Sequence, residues 1–274
     1  MHSKELVEKL EEIARQMRIT LLEMIHRRQA GHPGGSLSAA DIVTALYFHH
    51  MNIDPKNPAW EERDRFILSK GHASALLYAV LANRGYFPVE DLKCWGDIGC
   101  HLQGHPDRIK TPGVDMTSGV LGQGISIGAG LCLAANLNNK KYRTYVVIGC
   151  GESESGNIWE GAMISAHYKL SNITVIADYN RVQLDGKMNE IMEMEPYAKK
   201  WEAFGFNVIQ IDGHNMKEIL DALDKAAQYS KGPTVIIAKT VKGKGVSFME
   251  NDSRWHGVAP NDEQFRKAIE ELKK

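Results

Sequence analysis

The sequence predicts a doubly wound α/β fold, a parallel sheet with helices on both faces. Three observations predict it. Five short apolar runs, at 65–68, 145–149, 173–178, 207–211 and 234–238, have the length of buried strands. Segments with helical spacing separate successive runs. Each run ends in a loop rich in Gly that also carries His or an amide.

Taken in order, Leu6, Leu10, Ile13, Met17, Leu21 and Met24 recur at helical spacing, so residues 4–30 are expected to form a helix with one apolar stripe. Gly31-His-Pro-Gly-Gly35 then reads as an irregular loop, and Ser38 as the cap of a helix through Ile42 and Leu46. A polar excursion at 51–64 precedes the first strand, Arg65-Phe-Ile-Leu68, which stops at Ser69-Lys-Gly71-His72 before another helix. Residues 85–118 carry many Gly, Pro, Asp and His without periodicity, and so long an irregular stretch is usually functional. Ser118-Gly-Val-Leu-Gly122-Gln-Gly124 leads into a Gly/Ala-rich helix ending near 137. Further helices are expected near 159–170, 196–204 and 216–229. An irregular Gly-rich tail spans 241–262 before a final polar helix. With no repeat and no linker, 1–274 is expected to be one domain. The stripe of the first helix and the small-residue helix 122–137 are the expected interface surfaces.

The composition, 43% apolar and 24% charged, belongs to a soluble globular chain. A net charge of −1 argues against nucleic acid or an anionic membrane surface as partner. Met1 leads straight into the first helix without a leader-like apolar segment. The four cysteines, Cys94, Cys100, Cys132 and Cys150, show no CxxC spacing and no disulfide framework. A cytoplasmic location is expected.

The segment 145–186 holds the chemistry. Strand, crossover helix and strand make a right-handed βαβ unit, so the breaks at Gly149-Cys-Gly-Glu152 and Tyr179-Asn-Arg-Val182 fall at one carboxyl edge. Glycines flanking Cys150 let backbone N–H groups approach a phosphate, and the Asn180 amide and Val182 carbonyl are hard oxygens suited to Mg²⁺. His32, His72, His105 and His256 each lie beside Gly or Pro in such loops, where imidazoles suit proton transfer and hydrogen bonds to hydroxyls or phosphate. His26, His49, His50 and His167 fall within helices and read as structural, and His101 and His214 stay open. No GxGxxG follows the first strand and no P-loop or GxSxG elbow is present, which removes the usual support for nicotinamide, nucleotide or serine-hydrolase sites.

Together these residues resemble the diphosphate-binding domain of the transketolase family. The matching stretches are Gly31-His-Pro-Gly-Gly-Ser36, Leu68-Ser-Lys-Gly-His72, Gln103-Gly-His-Pro106, Ser118 to Gly124, Gly149 to Asn180, Asp178 to Gly186, Lys239-Thr-Val-Lys-Gly-Lys-Gly245 and Trp255-His-Gly-Val-Ala-Pro260, in the family's order. The resemblance implies a thiamine-diphosphate fold and transfer of a two-carbon ketol unit from a ketose phosphate to an aldose phosphate. It implies thiamine diphosphate and Mg²⁺, or another divalent cation, as cofactors. By the same resemblance His32, His105 and His256 bind ketose hydroxyls and assist proton transfer, and His72 lies near the diphosphate. Gly119, Val120 and Leu121 meet the thiamine, with Leu121 on the aminopyrimidine. Gly151 and His256 meet the diphosphate, and Asn180 and Val182 ligate the metal. Apart from the resemblance, Glu152 and Glu154 lie close in sequence to this site and are expected to supply charge there, directly or through water.

The family's second domain, with the glutamate that activates the aminopyrimidine, has no counterpart in this sequence. The resemblance is therefore to one component of a split transketolase, partnered by a separate C-terminal subunit in an α2β2 heterotetramer. Three positions depart from the family: Cys150 replaces a metal-ligating Asp, Ser155 a Glu, and Val120 a Pro or Ser. A thiol is a poor ligand for Mg²⁺, so thiamine diphosphate is expected to bind with weaker metal dependence or weaker affinity. Two further readings share these residues. One is a catalytically silent structural or regulatory paralogue. The other is a related thiamine enzyme acting on a different sugar phosphate, such as a deoxyxylulose-phosphate synthase.

Overall fold

The computed structural model describes residues 2–274; Met1, and the expectation attached to it, lie outside the described residues. Five strands form one parallel sheet: β1 (Arg65–Leu68), β2 (Thr144–Gly149), β3 (Ile173–Tyr179), β4 (Asn207–Asp212) and β5 (Thr234–Lys239). Their order is β1-β2-β3-β5-β4, so the chain enters at one edge, crosses to β4 at the other and inserts β5 between β3 and β4. Register keeps the carboxyl ends level, with Leu68 beside Val147, Gly149 beside Asp178, and Asp178 beside Ala238.

Because side chains alternate along a strand, each strand feeds two cores. Tyr145, Val147, Ile176 and Ile236 join one apolar cluster with helices α1 (Lys4–Arg28), α3 (Ala40–Ala45), α4 (Ser74–Arg84) and α9 (Met216–Gln228). Val146, Ile148, Val175, Ala177 and Ile237 join the other, beneath α5 (Gly124–Leu137), α6 (Gly156–His167) and α8 (Tyr197–Ala203). Also present are α2 (Pro33–Ser38), the single turn α7 (Met188–Ile191) and the C-terminal α10 (Asp262–Leu272). The doubly wound architecture read from the sequence is the one observed.

α1 begins at Ser3, whose side chain accepts the Leu6 amide at 3.2 Å, and ends at Gln29 in the left-handed region (φ 51°). Its stripe is buried in the chain's own core: Leu10, Met17, Leu21 and Met24 all lie inside. That corrects the expectation of an interface there. α5 does keep an exposed apolar side, with Ile127 and Leu137 outward beside Met163 and Ile164 of α6. Small residues let these helices pack closely: a Cβ on Gly161 would meet Ile125 at 2.9 Å.

Two local expectations are also corrected. The run after Gly31 is not irregular, because Pro33 opens the short helix α2. Proline costs nothing at a first helical position, where its missing N–H has no partner to lose. Ser38 therefore closes α2 instead of capping α3. Its hydroxyl donates to Asp178 Oδ2 at 2.6 Å, and Ala39 is the junction. Beyond α3 the helix widens into a π turn over Leu46–His50.

Residues 85–118 hold one short 3₁₀ turn, Val89–Cys94, and are otherwise irregular. Within them Cys94 and Cys100 form a disulfide, against the expectation of free cysteines. A turn through Asp97 brings them together, with the Asp97 amide donating to Cys94 and the Cys100 amide to Asp97, and sets their Cα atoms 5.8 Å apart. Among the described residues no helix is long and apolar enough to cross a membrane.

Candidate active site

The carboxyl ends of β1, β2 and β3 open onto a cavity of about 330 Å³. Its walls include His32 at the start of α2, Lys70 and His72 after β1, Gly119 and Leu121 from the loop before α5, and the Gly149–Glu152 turn after β2. Asn180, Val182, Gln183 and Leu184 after β3 close one side, and Lys242 and His256 of the 241–262 segment close the other. Loops far apart in sequence meet here because parallel strands deliver all their carboxyl ends to the same edge.

Three imidazoles pack together in the wall. Ring centroids of His32 and His72 are 4.9 Å apart, His72 and His256 5.2 Å, and His32 and His256 5.5 Å. Burial, with Lys70 and the other rings as charged neighbours, brings the pKa of His72 down to about 2. Burial and Lys242 bring His256 down to about 4, and burial with His105 and Lys242 also lowers His32. All three are neutral near pH 7. His105 stands on the outer side, 3.8 Å from where a Cβ on Gly119 would be, and is exposed. Val120 is also exposed and takes no part in the wall, while Leu121, 39% exposed, turns an apolar surface toward it.

Glu152 is buried, and its carboxylate is spent on the protein itself. It accepts the amides of Gly122 at 2.8 Å and Gly149 at 2.9 Å and the hydroxyl of Ser69. Burial raises its pKa, although those donors work against the rise. Gly122 has φ 86°, a conformation in which a side chain is strained, and this aims its amide at Glu152. Glu154, in contrast, reaches out to Gln183.

Two buried lysines, neither singled out by sequence reasoning, face the cavity. Lys70 pairs with Asp178 at 2.5 Å and donates to the Gly35 carbonyl at 2.6 Å. Asp178 is fully buried and also accepts from Ser38, Asn180 and Thr240. Burial favours its neutral acid, but Lys70, with the hydrogen bonds from Ser38 and Thr240, keeps the pKa low. Lys242 is 2% exposed, and its ammonium donates to the carbonyls of Val182 (3.1 Å) and Gln183 (2.9 Å) and to His256 Nδ1 (3.0 Å). Among the described residues no carboxylate pairs with it, and burial lowers its pKa to about 8. Nothing in a Gly-rich run with three lysines tells from sequence which one turns inward.

His214 and His101 lie outside the cavity. His214 Nδ1 donates to Asp41 at 2.7 Å and its Nε2 accepts the Val241 amide at 2.8 Å, so the proton sits on Nδ1. Asp41 also takes a bidentate pair from Arg18. Burial favours the neutral acid, but Arg18 and His214 hold the Asp41 pKa at about 2. His101 contacts Asp91 at 3.1 Å.

The cavity suits thiamine diphosphate: backbone at Gly149–Gly151 and the buried Lys242 ammonium for the diphosphate, and Leu121 and Leu184 for a ring. A Cβ on Gly151 would press on Gln183 at 3.1 Å. The expected metal ligands are arranged otherwise. The Val182 carbonyl faces the Lys242 ammonium. Asn180 Oδ1 accepts the Val182 amide at 3.0 Å and faces the Cys150 thiol at 3.8 Å. Cys150 Sγ accepts the Arg181 amide at 3.2 Å. Burial and Asp178 raise the Cys150 pKa to about 11, so it is a thiol and not a thiolate. Among the described residues no group of three or more His, Cys, Asp or Glu is placed to hold a metal. A divalent cation does not fit this donor set.

Residues 9–273 match the family described as transketolase, thiamine diphosphate binding domain. The chain is 44% identical over 265 residues to a 6-deoxy-6-sulfo-D-fructose transketolase subunit of a Clostridium species, covering 97% of this chain and 96% of that protein. It is 40% identical to an apulose-4-phosphate transketolase subunit of Phocaeicola vulgatus, covering 97% and 94%. The crystal structure of a transketolase from Campylobacter jejuni superimposes with a TM-score of 0.92 at 34% identity, covering 97% of this chain and 43% of that one.

Proposed function

The chain belongs to the transketolase family, through its thiamine diphosphate-binding domain, and from that premise we propose that it is one subunit of a two-component transketolase. The observation that carries this reading is the extent of the match. The chain spans nearly the whole of two proteins named as subunits, but only 43% of a transketolase that is a single chain. The reaction is transfer of a two-carbon ketol unit from a ketose to an aldose. Both relatives are named for an anionic sugar, which supports sugar phosphates or similar anions as the substrate class.

We read 1–274 as a single domain holding the diphosphate half of the cofactor site. A separate C-terminal subunit supplies the aminopyrimidine half, and two copies of each form an α2β2 assembly. The exposed apolar side of α5 and α6 supports such assembly. We place the enzyme in the cytoplasm, where phosphorylated sugars are retained by their charge; the Cys94–Cys100 bridge is the feature that speaks against a reducing compartment.

When bound, thiamine diphosphate supplies the carbon that takes up the two-carbon unit and the ring that stores its electron pair. His32 and His256, neutral and side by side, hydrogen-bond the ketose hydroxyls and accept or return protons, and His105 joins them from the outer rim. His72 and Gly151 border the diphosphate, Gly119 and Leu121 the ring, and Asn180 lies beside them in the wall. Glu152 contributes indirectly, by holding the loops that bear Gly122 and Gly149.

The test is an assay of the purified chain, of its purified partner, and of their mixture, with a ketose phosphate donor and an aldose phosphate acceptor. Turnover by the mixture and by neither component alone is expected. Turnover by the chain alone refutes the two-component reading, and an intact but inactive complex refutes the enzymatic one.

A further inference from the structure

Lys242 is a buried ammonium without a carboxylate. An unpaired charge so deep is costly unless an anion completes it. Its three donors rest on two fixed carbonyls, Val182 and Gln183, and on one movable acceptor, His256. It faces the same cavity as the Gly149–Gly151 backbone. Lys70 cannot serve in the same way, since Asp178 already compensates its charge at 2.5 Å.

Each of the three atoms expected to ligate a divalent cation already accepts a hydrogen bond, and none is a carboxylate. The Val182 carbonyl accepts from Lys242, Asn180 Oδ1 accepts from the Val182 amide, and Cys150 Sγ accepts from the Arg181 amide. Bringing a hard dication there would place it against the ammonium, with a thiol where a carboxylate is needed.

Resting on the reading that this site takes thiamine diphosphate, we propose that it holds the diphosphate without a divalent cation, the Lys242 ammonium on the Val182 carbonyl standing where a metal would be. Lys242 then neutralises part of the diphosphate charge directly, exchanging its contact with His256 for one with phosphate oxygen. Release of His256 Nδ1 frees that ring to turn toward the substrate.

The test is calorimetric titration of thiamine diphosphate into the complex of this chain with its partner, once in excess EDTA and once in Mg²⁺. Equal affinity in both is the expected result. Binding lost in EDTA and restored by Mg²⁺ overturns the proposal. Absence of binding in both, from an intact complex, overturns the thiamine reading itself and the proposal with it. Lys242→Met should weaken binding by about 10- to 100-fold, the scale of one charge-assisted hydrogen bond. The double variant Cys150→Asp with Lys242→Met should recover binding in Mg²⁺ only. Lys242→Met binding as tightly as the natural chain in EDTA would also overturn the proposal.

Discussion

The carboxylate of Glu152 accepts the amide of Gly122 at 2.8 Å, joining the turn after β2 to the loop before α5 across the floor of the cavity. The same carboxylate holds Gly149 and Ser69, so one buried side chain fixes three loops. Glu152→Ala leaves two amides and a hydroxyl without an acceptor. At about 1–3 kcal/mol for each unsatisfied buried group, a loss of roughly 3–9 kcal/mol is expected. Glu152→Gln keeps one acceptor oxygen and should lose less. Urea unfolding of both variants measures this; an Ala variant as stable as the natural chain would contradict it.

Acid should destabilise the fold well above the range where carboxylates titrate. An unfolded histidine takes up its proton near pH 6.5, whereas folded His72 stays neutral down to about 2 and His256 to about 4. A base whose pKa is lowered by folding is stabilising above its unfolded value. Below that value the unfolded chain binds more protons and stability falls. Between pH 6.5 and 4 the loss from His72 alone is on the order of 3 kcal/mol. Unfolding free energies across that window should show the slope, and His72→Gln should flatten it. Parallel slopes for the two proteins would rule out His72 as the source.

Asp41 closes a buried network, taking two hydrogen bonds from Arg18 and one from His214. Asp41→Asn leaves the Arg18 guanidinium buried without a counter-charge, which typically costs about 3–5 kcal/mol. The midpoint of thermal unfolding is the direct measurement, and Arg18→Met combined with Asp41→Asn should recover much of the loss. No recovery would show that the pair does not act as a unit.

Cys150 and Cys132 should behave as inert thiols. Burial raises the pKa of Cys150 to about 11 and that of Cys132 to about 12, and thiol reagents attack only the thiolate of an accessible group. Neither should be labelled in the native protein near pH 8, and both should be labelled rapidly in urea. Fast native labelling assigned to Cys150 by mass spectrometry would contradict its placement.

The architecture was legible because β2, β3 and β5 are continuous apolar runs, buried on both faces, between helices of ordinary spacing. His32, His72 and His256 were legible because Gly and Pro beside them placed each in a loop at the carboxyl edge. Lys242 was not, since Lys239 and Lys244 flank it in the same run and only tertiary structure turns one inward. Glu152 was expected to add charge toward the cofactor and instead holds Gly122, because spacing along a chain does not tell where a carboxylate points. Pro33–Ser38 is helical although its Gly and Pro read as breakers, because burial and the bond from Ser38 to Asp178 hold a helical turn.

The segment bearing both Lys242 and His256 is anchored at its entry: the Val241 amide donates to His214 and the Gly243 amide to the Gly34 carbonyl at 3.0 Å. The Asn251 amide folds it back onto the Lys242 carbonyl at 2.8 Å. Its ordering entropy is therefore spent at folding and not at ligand capture. Association kinetics with the cofactor should then follow the meeting of the two subunits, with no slow loop-closing phase after it.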